Sequence, residues 1–164
     1  MCIRDRLPTA QQLEEFTAKY SSHMIVNDNM REFFRAFPYD AHPMSMVSGA
    51  ISAMSTFYQG SLDVFDEEQV ELSMLRLMAK MPTITALASR RRSGVPVVHP
   101  SDHLSPMENF ARVHFALPTQ DDFEPDPLLV KALDILFILH ADHEQNCSTS
   151  TVRLVGSSQA NIYP

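Results

Sequence analysis

The sequence predicts an all-α protein. Only four glycines occur among its 164 residues, and β-branched residues form no long runs, so β-sheet is disfavoured. Helix start signals recur along the chain instead, most clearly where a capping residue precedes a proline at the first helical position. Only residues 95–98 have the character of a strand, and Pro96 keeps that strand short.

The first two helices are predicted from a capping box and from grouped aromatic residues. Thr9 and Gln12 have the spacing of a capping box at the start of the first helix. The apolar face of this helix consists of Leu13, Phe16 and Tyr20. A second helical run covers about residues 24–37 and ends before Pro38. It brings together three aromatic residues, Phe33, Phe34 and Phe37.

Two further helices are predicted in the middle of the chain. Pro43, after His42, lies at the favoured first position of the third helix, whose body is rich in Ser, Ala and Gly, so a neighbouring helix can approach closely. Asp66 caps the fourth helix, with Gln69 at the capping-box position. Its apolar positions are Val70, Met74, Leu77 and Met81. Because Pro82 lacks an N–H group, we expect this helix to break there and restart near Thr83.

The last two predicted helices begin with strong signals. Ser105 and Glu108 form a capping box around Pro106, which lies at the first helical position. Asp126 and Pro127 begin the final helix in the same way. That helix is apolar on nearly every side, so we expect it to lie at the centre of the fold.

Composition limits the kinds of partner. Thirteen basic and twenty acidic residues give a net charge of −7, which offers no reason to expect nucleic acid. The longest apolar stretch, residues 128–139, contains Lys131 and Asp134 and is too short to span a bilayer, so no membrane partner is expected. Cys2 and Cys147 lie far apart and suggest no disulfide framework, which predicts a cytoplasmic location. The length suits one domain or a piece of a larger one.

Several motifs have a structural interpretation as well as a functional one. The arginine run at 90–92 is of the type that binds phosphate or the anionic tail of a coenzyme, but we favour a solvated charge cluster that follows a helix. The ten methionines are interpreted as flexible core filling rather than as a ligand groove, among them Met74, Met78 and Met81. His42 is interpreted as structural. Three histidines without metal-like spacing are interpreted as surface or capping residues: His99, His103 and His114.

Residues 139–150 carry the strongest functional signal. Five polar side chains adjoin the end of the most apolar segment: His140, Asp142, His143, Glu144 and Asn146. Burial would oblige them to find hydrogen bonds, a metal or a ligand. Spacing alone leaves three interpretations open. The side chains cap the last carbonyls of a helix, or His140 and His143 hold a metal from one helix face, or histidines donate hydrogen bonds to a substrate anion.

Four stretches of the sequence, taken in order, have the pattern of one known family. The last is Leu139-His-Ala-Asp-His-Glu-Gln-Asn-Cys-Ser-Thr-Ser-Thr-Val-Arg153, followed by Gly156-Ser-Ser158. The three earlier stretches are Asp40-Ala-His-Pro-Met44, then Thr56-Phe-Tyr58 with Ser61-Leu-Asp63, then Arg76-Leu-Met-Ala-Lys-Met-Pro-Thr83. Together they resemble the bacterial citrate synthases, whose central signature the last stretch resembles. The resemblance extends from about Leu7 to the last residue.

The resemblance implies an all-α enzyme, a homodimer or higher homo-oligomer, with its active site between a large and a small domain. Such enzymes condense acetyl-CoA with oxaloacetate and water to citrate and CoA, with acetyl-CoA as substrate and without a metal or other cofactor. The resemblance therefore favours the anion site. His143 matches the histidine that hydrogen-bonds oxaloacetate, and Asn146 matches the nearby asparagine, so both are expected to bind substrate.

The resemblance also implies that parts of the enzyme lie outside this sequence. The catalytic histidines and aspartate belong to motifs expected after Pro164, so no catalytic residue is expected here and the chain by itself is expected to be inactive. Residues 1–6 do not resemble the family and are interpreted as a spurious start. Residues 7–164 are interpreted as part of the large helical domain, truncated at both ends. The alternative is a non-catalytic helical interaction module of shared ancestry.

Overall fold

The computed structural model describes residues 7–120, 122–141, 146–159 and 163. In this part of the chain it contains helices and no strands, which confirms the predicted all-α class; residues 95–98 are irregular. The α-helices are α1 (Ala10–Ser22), α2 (Asp28–Arg35), α3 (Pro43–Met54), α4 (Glu67–Ser93), α5 (Pro106–Phe115), α6 (Pro127–Ala141) and α7 (Cys147–Gly156). Two short 3-10 helices, Ser55–Phe57 and Gln59–Ser61, connect α3 to the segment before α4.

The predicted helix starts are confirmed at the level of individual hydrogen bonds. Both capping boxes are reciprocal: Thr9 with Gln12, and Ser105 with Glu108. The Oδ1 atom of Asp126 accepts from the N–H of Leu128 at 2.8 Å. These bonds satisfy backbone N–H groups that have no partner inside a helix.

The cap of α4 differs from the predicted box. Asp66 accepts from the N–H groups of Glu68 and Gln69 at 3.0 and 3.2 Å. The Gln69 side-chain oxygen, however, accepts from the N–H of Asp63 at 3.1 Å rather than from that of Asp66. Gln69 therefore fastens the preceding loop onto the start of the helix.

The second helix is shorter than predicted. Helix α2 begins at Asp28 because the side chain of Asn27 accepts from the N–H of Asn29 at 2.9 Å and caps it. The residues before it lie outside the helix, and Met24 and Val26 are buried there. The predicted aromatic group is confirmed, with ring centroids 5.2–6.3 Å apart.

The predicted break at Pro82 is wrong. Helix α4 continues through Pro82 to Ser93 and ends at Gly94, which has φ of 67°. Proline leaves the carbonyl four residues earlier without its helical donor, and that carbonyl belongs to Met78. The hydroxyl of Tyr20 on α1 donates to it at 3.3 Å. Tertiary contact thus replaces the missing hydrogen bond and lets the helix continue.

The hydrophobic core lies among α2, α3 and α4. Its buried residues include Met30, Met46, Ala50, Met54 and Ile84, and Tyr163 packs against the same cluster. Gly49 confirms the predicted close approach at the small residues of α3. A Cβ atom there would lie 3.6 Å from the ring of Phe37 and 3.8 Å from that of Phe33.

The interpretation of the methionines as core filling is confirmed in part. Four of them are almost completely buried: Met24, Met30, Met46 and Met54. Met74 and Met78, in contrast, are 50% and 48% exposed. Both lie on α4, which buries other apolar residues instead, among them Leu75, Ala79 and Ile84.

The predicted central position of the apolar helix is wrong within the described residues. Helix α6 contains no buried residue, and Leu128, Ile138 and Leu139 are 75%, 65% and 66% exposed. It packs on α5, where the rings of Phe110 and Phe137 lie 5.2 Å apart. None of the helices in the described segments is long and apolar enough to cross a membrane.

Candidate functional site

The predicted site lies at the junction between α6 and α7. His140 is in the last turn of α6, and its Nδ1 atom lies 2.7 Å from the carbonyl oxygen of Leu136, one turn earlier. A ring nitrogen in this position donates to the carbonyl, which leaves Nε2 as the acceptor in a neutral ring. His140 therefore binds the end of its own helix, as the first of the three interpretations predicts.

Asn146 begins the following helix. Its Oδ1 atom accepts from the N–H of Thr149 at 2.9 Å, which makes Asn146 the N-cap of α7. Helix α7 is not among the helices predicted from the sequence. Its signal was present, because an asparagine directly before a helical stretch is a common N-cap, but the glutamate or glutamine of a capping box is missing three residues later.

His143 lies outside the described residues, as do Asp142 and Glu144. The structure therefore leaves the assignment of His143 to oxaloacetate as a prediction. In the part of the chain that is described, no three His, Cys, Asp or Glu side chains lie together in a way that suits a metal. Because three members of the cluster are outside that part, the metal alternative is not tested.

Two of the other family-like stretches meet in space. The guanidinium of Arg76, on α4, lies 4.4 Å from the centre of the Tyr58 ring, within the range of a cation–π interaction. Its Nη1 atom donates to the Oγ atom of Ser61 at 2.7 Å. The fold thus joins the stretch before α4 to the middle of that helix. His42 in the first stretch caps α3, accepting from the N–H of Met44 at 3.2 Å, which confirms its structural interpretation.

Lys80 is a buried charge that sequence reasoning missed. Its ammonium group donates to the carbonyls of His23, at 2.8 Å, and Ile25. Burial, assisted by the positive charge of Arg76, lowers the pKa of Lys80 to about 8. No sequence signal separates this lysine from an exposed one on a helix, since its environment comes from the loop after α1.

The interpretation of the arginine run as a solvated cluster is wrong for its first residue. Arg90 is only 3% exposed and donates to the carbonyls of Val113, Pro96 and Ala116. Arg91 donates from Nε and Nη2 to the carbonyl of Phe37. Arg92 is exposed. The run crosses from the buried to the exposed side of α4, because successive helix residues lie about 100° apart around the axis.

Of the three histidines without metal-like spacing, two are exposed and one is half-buried. His99 and His103 are exposed, as predicted. His114 is half-buried between α4 and α5, where its ring stacks on that of Phe110 with centroids 4.2 Å apart. Its Nε2 atom lies 3.3 Å from the Oγ1 atom of Thr85, and burial lowers the pKa of His114. Its Nδ1 atom lies 2.8 Å from the carbonyl oxygen of Phe110, one turn earlier in α5. The capping interpretation is therefore confirmed for His114, and the surface interpretation is wrong for it.

This all-helical architecture is the citrate synthase architecture. The crystal structure of citrate synthase from Pyrobaculum aerophilum matches 96% of this chain with a TM-score of 0.83 and 32% sequence identity, over 40% of that protein's chain. The family profile described as "Citrate synthase, C-terminal domain" matches residues 2–164. The chain belongs to the citrate synthase family, which confirms the resemblance found in the sequence.

Curated relatives give the same result. Citrate synthase 1 of Mycobacterium tuberculosis is 48% identical over 163 residues, which are 99% of this chain and 38% of the relative. Citrate synthase of Corynebacterium glutamicum is 45% identical over 163 residues, 99% of this chain and 37% of the relative. The chain thus spans less than two fifths of the curated relatives that it matches.

Proposed function

We propose that this chain is part of a citrate synthase, which condenses acetyl-CoA with oxaloacetate and water to give citrate and CoA. The observation that carries the proposal is the continuous His-Ala-Asp-His-Glu-Gln-Asn signature at the α6–α7 junction. Family membership over residues 2–164 supports it. The acetyl and oxaloacetate carbons are joined without a metal or other cofactor, and acetyl-CoA is a substrate.

His143 and Asn146 are the proposed oxaloacetate-binding residues. A histidine N–H group donates to a substrate carboxylate, and such a charge-assisted bond is stronger than a neutral one. The position of Asn146 supports its part in the proposal, because its capping bond to Thr149 fixes its side chain at the start of α7. Helix N-termini also favour negative charge, which suits a dicarboxylate substrate.

The domain, assembly and location of the protein are further parts of the proposal. Residues 7–164 belong to the large helical domain, and the enzyme is a homodimer or higher homo-oligomer in the cytoplasm. The distance in sequence between Cys2 and Cys147 suggests no disulfide framework, which supports the cytoplasmic location.

A chimera tests the function directly. Residues 7–164 replace the aligned segment of the M. tuberculosis citrate synthase 1, which is 48% identical, and release of CoA is measured with acetyl-CoA and oxaloacetate. The expected result is oxaloacetate-dependent turnover by the chimera and none by the 164-residue chain alone. A folded chimera without turnover would instead favour the non-catalytic interaction module.

A matched control shows whether an exposed substitution in the transferred segment alters turnover by itself. A second chimera carries Arg92→Gln, at an exposed position of α4 that takes no part in the proposed site. It is expected to have the same turnover as the first chimera. Turnover by the 164-residue chain itself would contradict the expectation that the catalytic groups lie outside it.

A further inference from the structure

An arginine-lined cleft lies between the end of α2 and the end of α4. Arg31 and Arg35 on α2 line it from one side, and Arg90 and Arg91 on α4 from the other. Its volume is about 420 Å³. This is large enough for a small organic molecule, since ligand pockets begin at roughly 300 Å³.

Two of these arginines are held in place but still have donors to offer. Arg91 donates from Nε and Nη2 to the carbonyl of Phe37, at 2.9 and 2.7 Å, and stacks on the ring of Tyr39 at 3.9 Å. Its Nη1 group is not used by these bonds. Arg31 is held at Nη1 by Asp28, at 3.2 Å, and lies beside His99. Fixed donors lose little entropy when they bind a ligand.

The Nε atom of Arg31 is the most informative group. It is buried and has no hydrogen-bond partner among the described residues. A buried donor without a partner is costly, and each such group in a native structure needs an explanation. Because the Arg31 side chain as a whole is 29% exposed, a change of its rotamer can turn Nε towards an acceptor bound in the cleft.

The cleft is positively charged within an acidic protein. Its lining contains four arginines and, among the described residues, no carboxylate, although the chain carries a net charge of −7. The two acidic partners, Asp28 and Glu32, bind Arg31 and Arg35 at Nη1 and do not line the cleft. Arg90 already donates from all three of its guanidinium nitrogens to backbone carbonyls. It therefore contributes charge to the cleft rather than a free donor.

We propose that this cleft binds a small organic phosphate. Guanidinium groups donate charge-assisted hydrogen bonds to phosphate oxygens, and the cleft offers Arg31, Arg35 and the Nη1 group of Arg91 as donors. The remaining wall is apolar, formed by Phe34, Leu87 and Pro96 among others. The wall suits the organic part of the ligand, whereas the arginines hold its phosphate. This site uses no residue of α6 or α7 and does not depend on the proposed function.

Binding of phenyl phosphate tests the proposal, because this probe has one phosphate and one flat apolar group. Calorimetric titration of the purified protein is expected to give a Kd of roughly 1 mM or below. Arg31→Gln and Arg35→Gln are each expected to weaken binding by about tenfold, the loss of one charge-assisted bond. Because Arg35 is 66% exposed, its substitution leaves the fold intact, which circular dichroism verifies.

Arg92→Gln is the matched control. Arg92 follows Arg91 directly on α4, is exposed and does not line the cleft, so its substitution is expected to leave the Kd unchanged. Inorganic phosphate and benzoate are expected to bind more weakly than phenyl phosphate. Inorganic phosphate lacks the apolar group, and benzoate lacks the phosphate. Equal affinity for benzoate would overturn the assignment to phosphate. Absence of phenyl phosphate binding, or equal weakening by Arg92→Gln, would overturn the site.

Discussion

The hydroxyl of Tyr20 donates a hydrogen bond to the carbonyl of Met78 at 3.3 Å, across 58 residues of sequence. Met78 lies four residues before Pro82, so its carbonyl is the one that proline leaves without a helical donor. A tyrosine on α1 therefore supports the continuity of α4, the longest described helix. This bond ties the first helix to the centre of the fold.

We predict that the stabilising effect of Tyr20 depends on Pro82. Tyr20→Phe removes the hydroxyl and is expected to lower the free energy of unfolding by about 0.5–1.5 kcal/mol. In a Pro82→Ala background the N–H of residue 82 can bond the carbonyl of Met78. The same substitution is then expected to cost less. Urea unfolding of the four proteins of this double-mutant cycle measures the difference.

Tyr39→Phe is the control for that cycle. Tyr39 is 60% exposed, and its ring, rather than its hydroxyl, contacts Arg91 at 3.9 Å. Its substitution should change stability by less than about 0.5 kcal/mol. An equal cost of Tyr20→Phe in both backgrounds would show that its hydroxyl does not compensate for the proline.

We predict a pH dependence of stability from Lys80. Its pKa falls from an ordinary value of 10.5 to about 8, chiefly through burial and then through the charge of Arg76. Between these two values the unfolded chain binds more protons than the folded chain, so the free energy of unfolding rises with pH across that window. Lys80→Met removes this contribution. Denaturant unfolding of both proteins at pH of about 7.5 and about 9.5 compares the two slopes.

Lys19→Met supplies the control for the effect of Lys80, because Lys19 is exposed on α1. This variant is expected to keep the rise in stability that the unsubstituted protein shows. If Lys80→Met also kept the full rise, the buried ammonium group would not be its source.

We predict that Arg90 is important for stability and Arg92 is not. Arg90→Met leaves three carbonyls without their donor. At roughly 1–3 kcal/mol for each unsatisfied group, the total cost is expected to exceed about 3 kcal/mol. Arg92→Met, at an exposed position of the same helix, should change the free energy of unfolding by less than about 0.5 kcal/mol. Thermal and urea unfolding test both; similar losses for the two variants would contradict the buried network.

We predict a kinetic effect of His143 in the active chimera. His143→Ala is expected to raise the KM for oxaloacetate by at least about tenfold, since one charge-assisted bond contributes roughly 1.5–3 kcal/mol. The KM for acetyl-CoA should change less. His140→Ala should act mainly on stability, because the ring of His140 binds the carbonyl of Leu136. Unchanged oxaloacetate saturation in a folded His143→Ala chimera would disprove the assignment.

Asn146 allows capping and substrate binding to be separated. Asn146→Asp keeps a good N-cap, so the helix should remain stable, but its negative charge should repel oxaloacetate and raise the KM. Asn146→Ala should lower stability by about 1 kcal/mol through loss of the cap. Steady-state kinetics and thermal unfolding of both variants distinguish the two roles. A KM that is unchanged in Asn146→Asp would leave Asn146 with the capping role alone.

The correct sequence predictions are those that depend on neighbours within the chain. Capping boxes at Thr9 and Ser105 join residues three apart, so the sequence contains both partners of each bond. The grouping of Phe33, Phe34 and Phe37 follows from helical spacing in the same way. The resemblance to citrate synthases likewise depends on ordered residues, which is why a single sequence was enough to recognise the family.

Two of the wrong predictions concern residues whose partners are distant in sequence. The predicted break at Pro82 with a restart near Thr83 does not occur, and the compensating donor, Tyr20, lies 62 positions away along the chain. Arg90 and Arg92 look alike in sequence, and only the packing of α4 on α5 decides which one is buried. The sequence by itself determined where five of the seven described α-helices start and which family the chain belongs to, because local hydrogen bonds and residue order determine both. Tertiary structure decided which side chains are buried, because burial depends on contacts that no local pattern specifies.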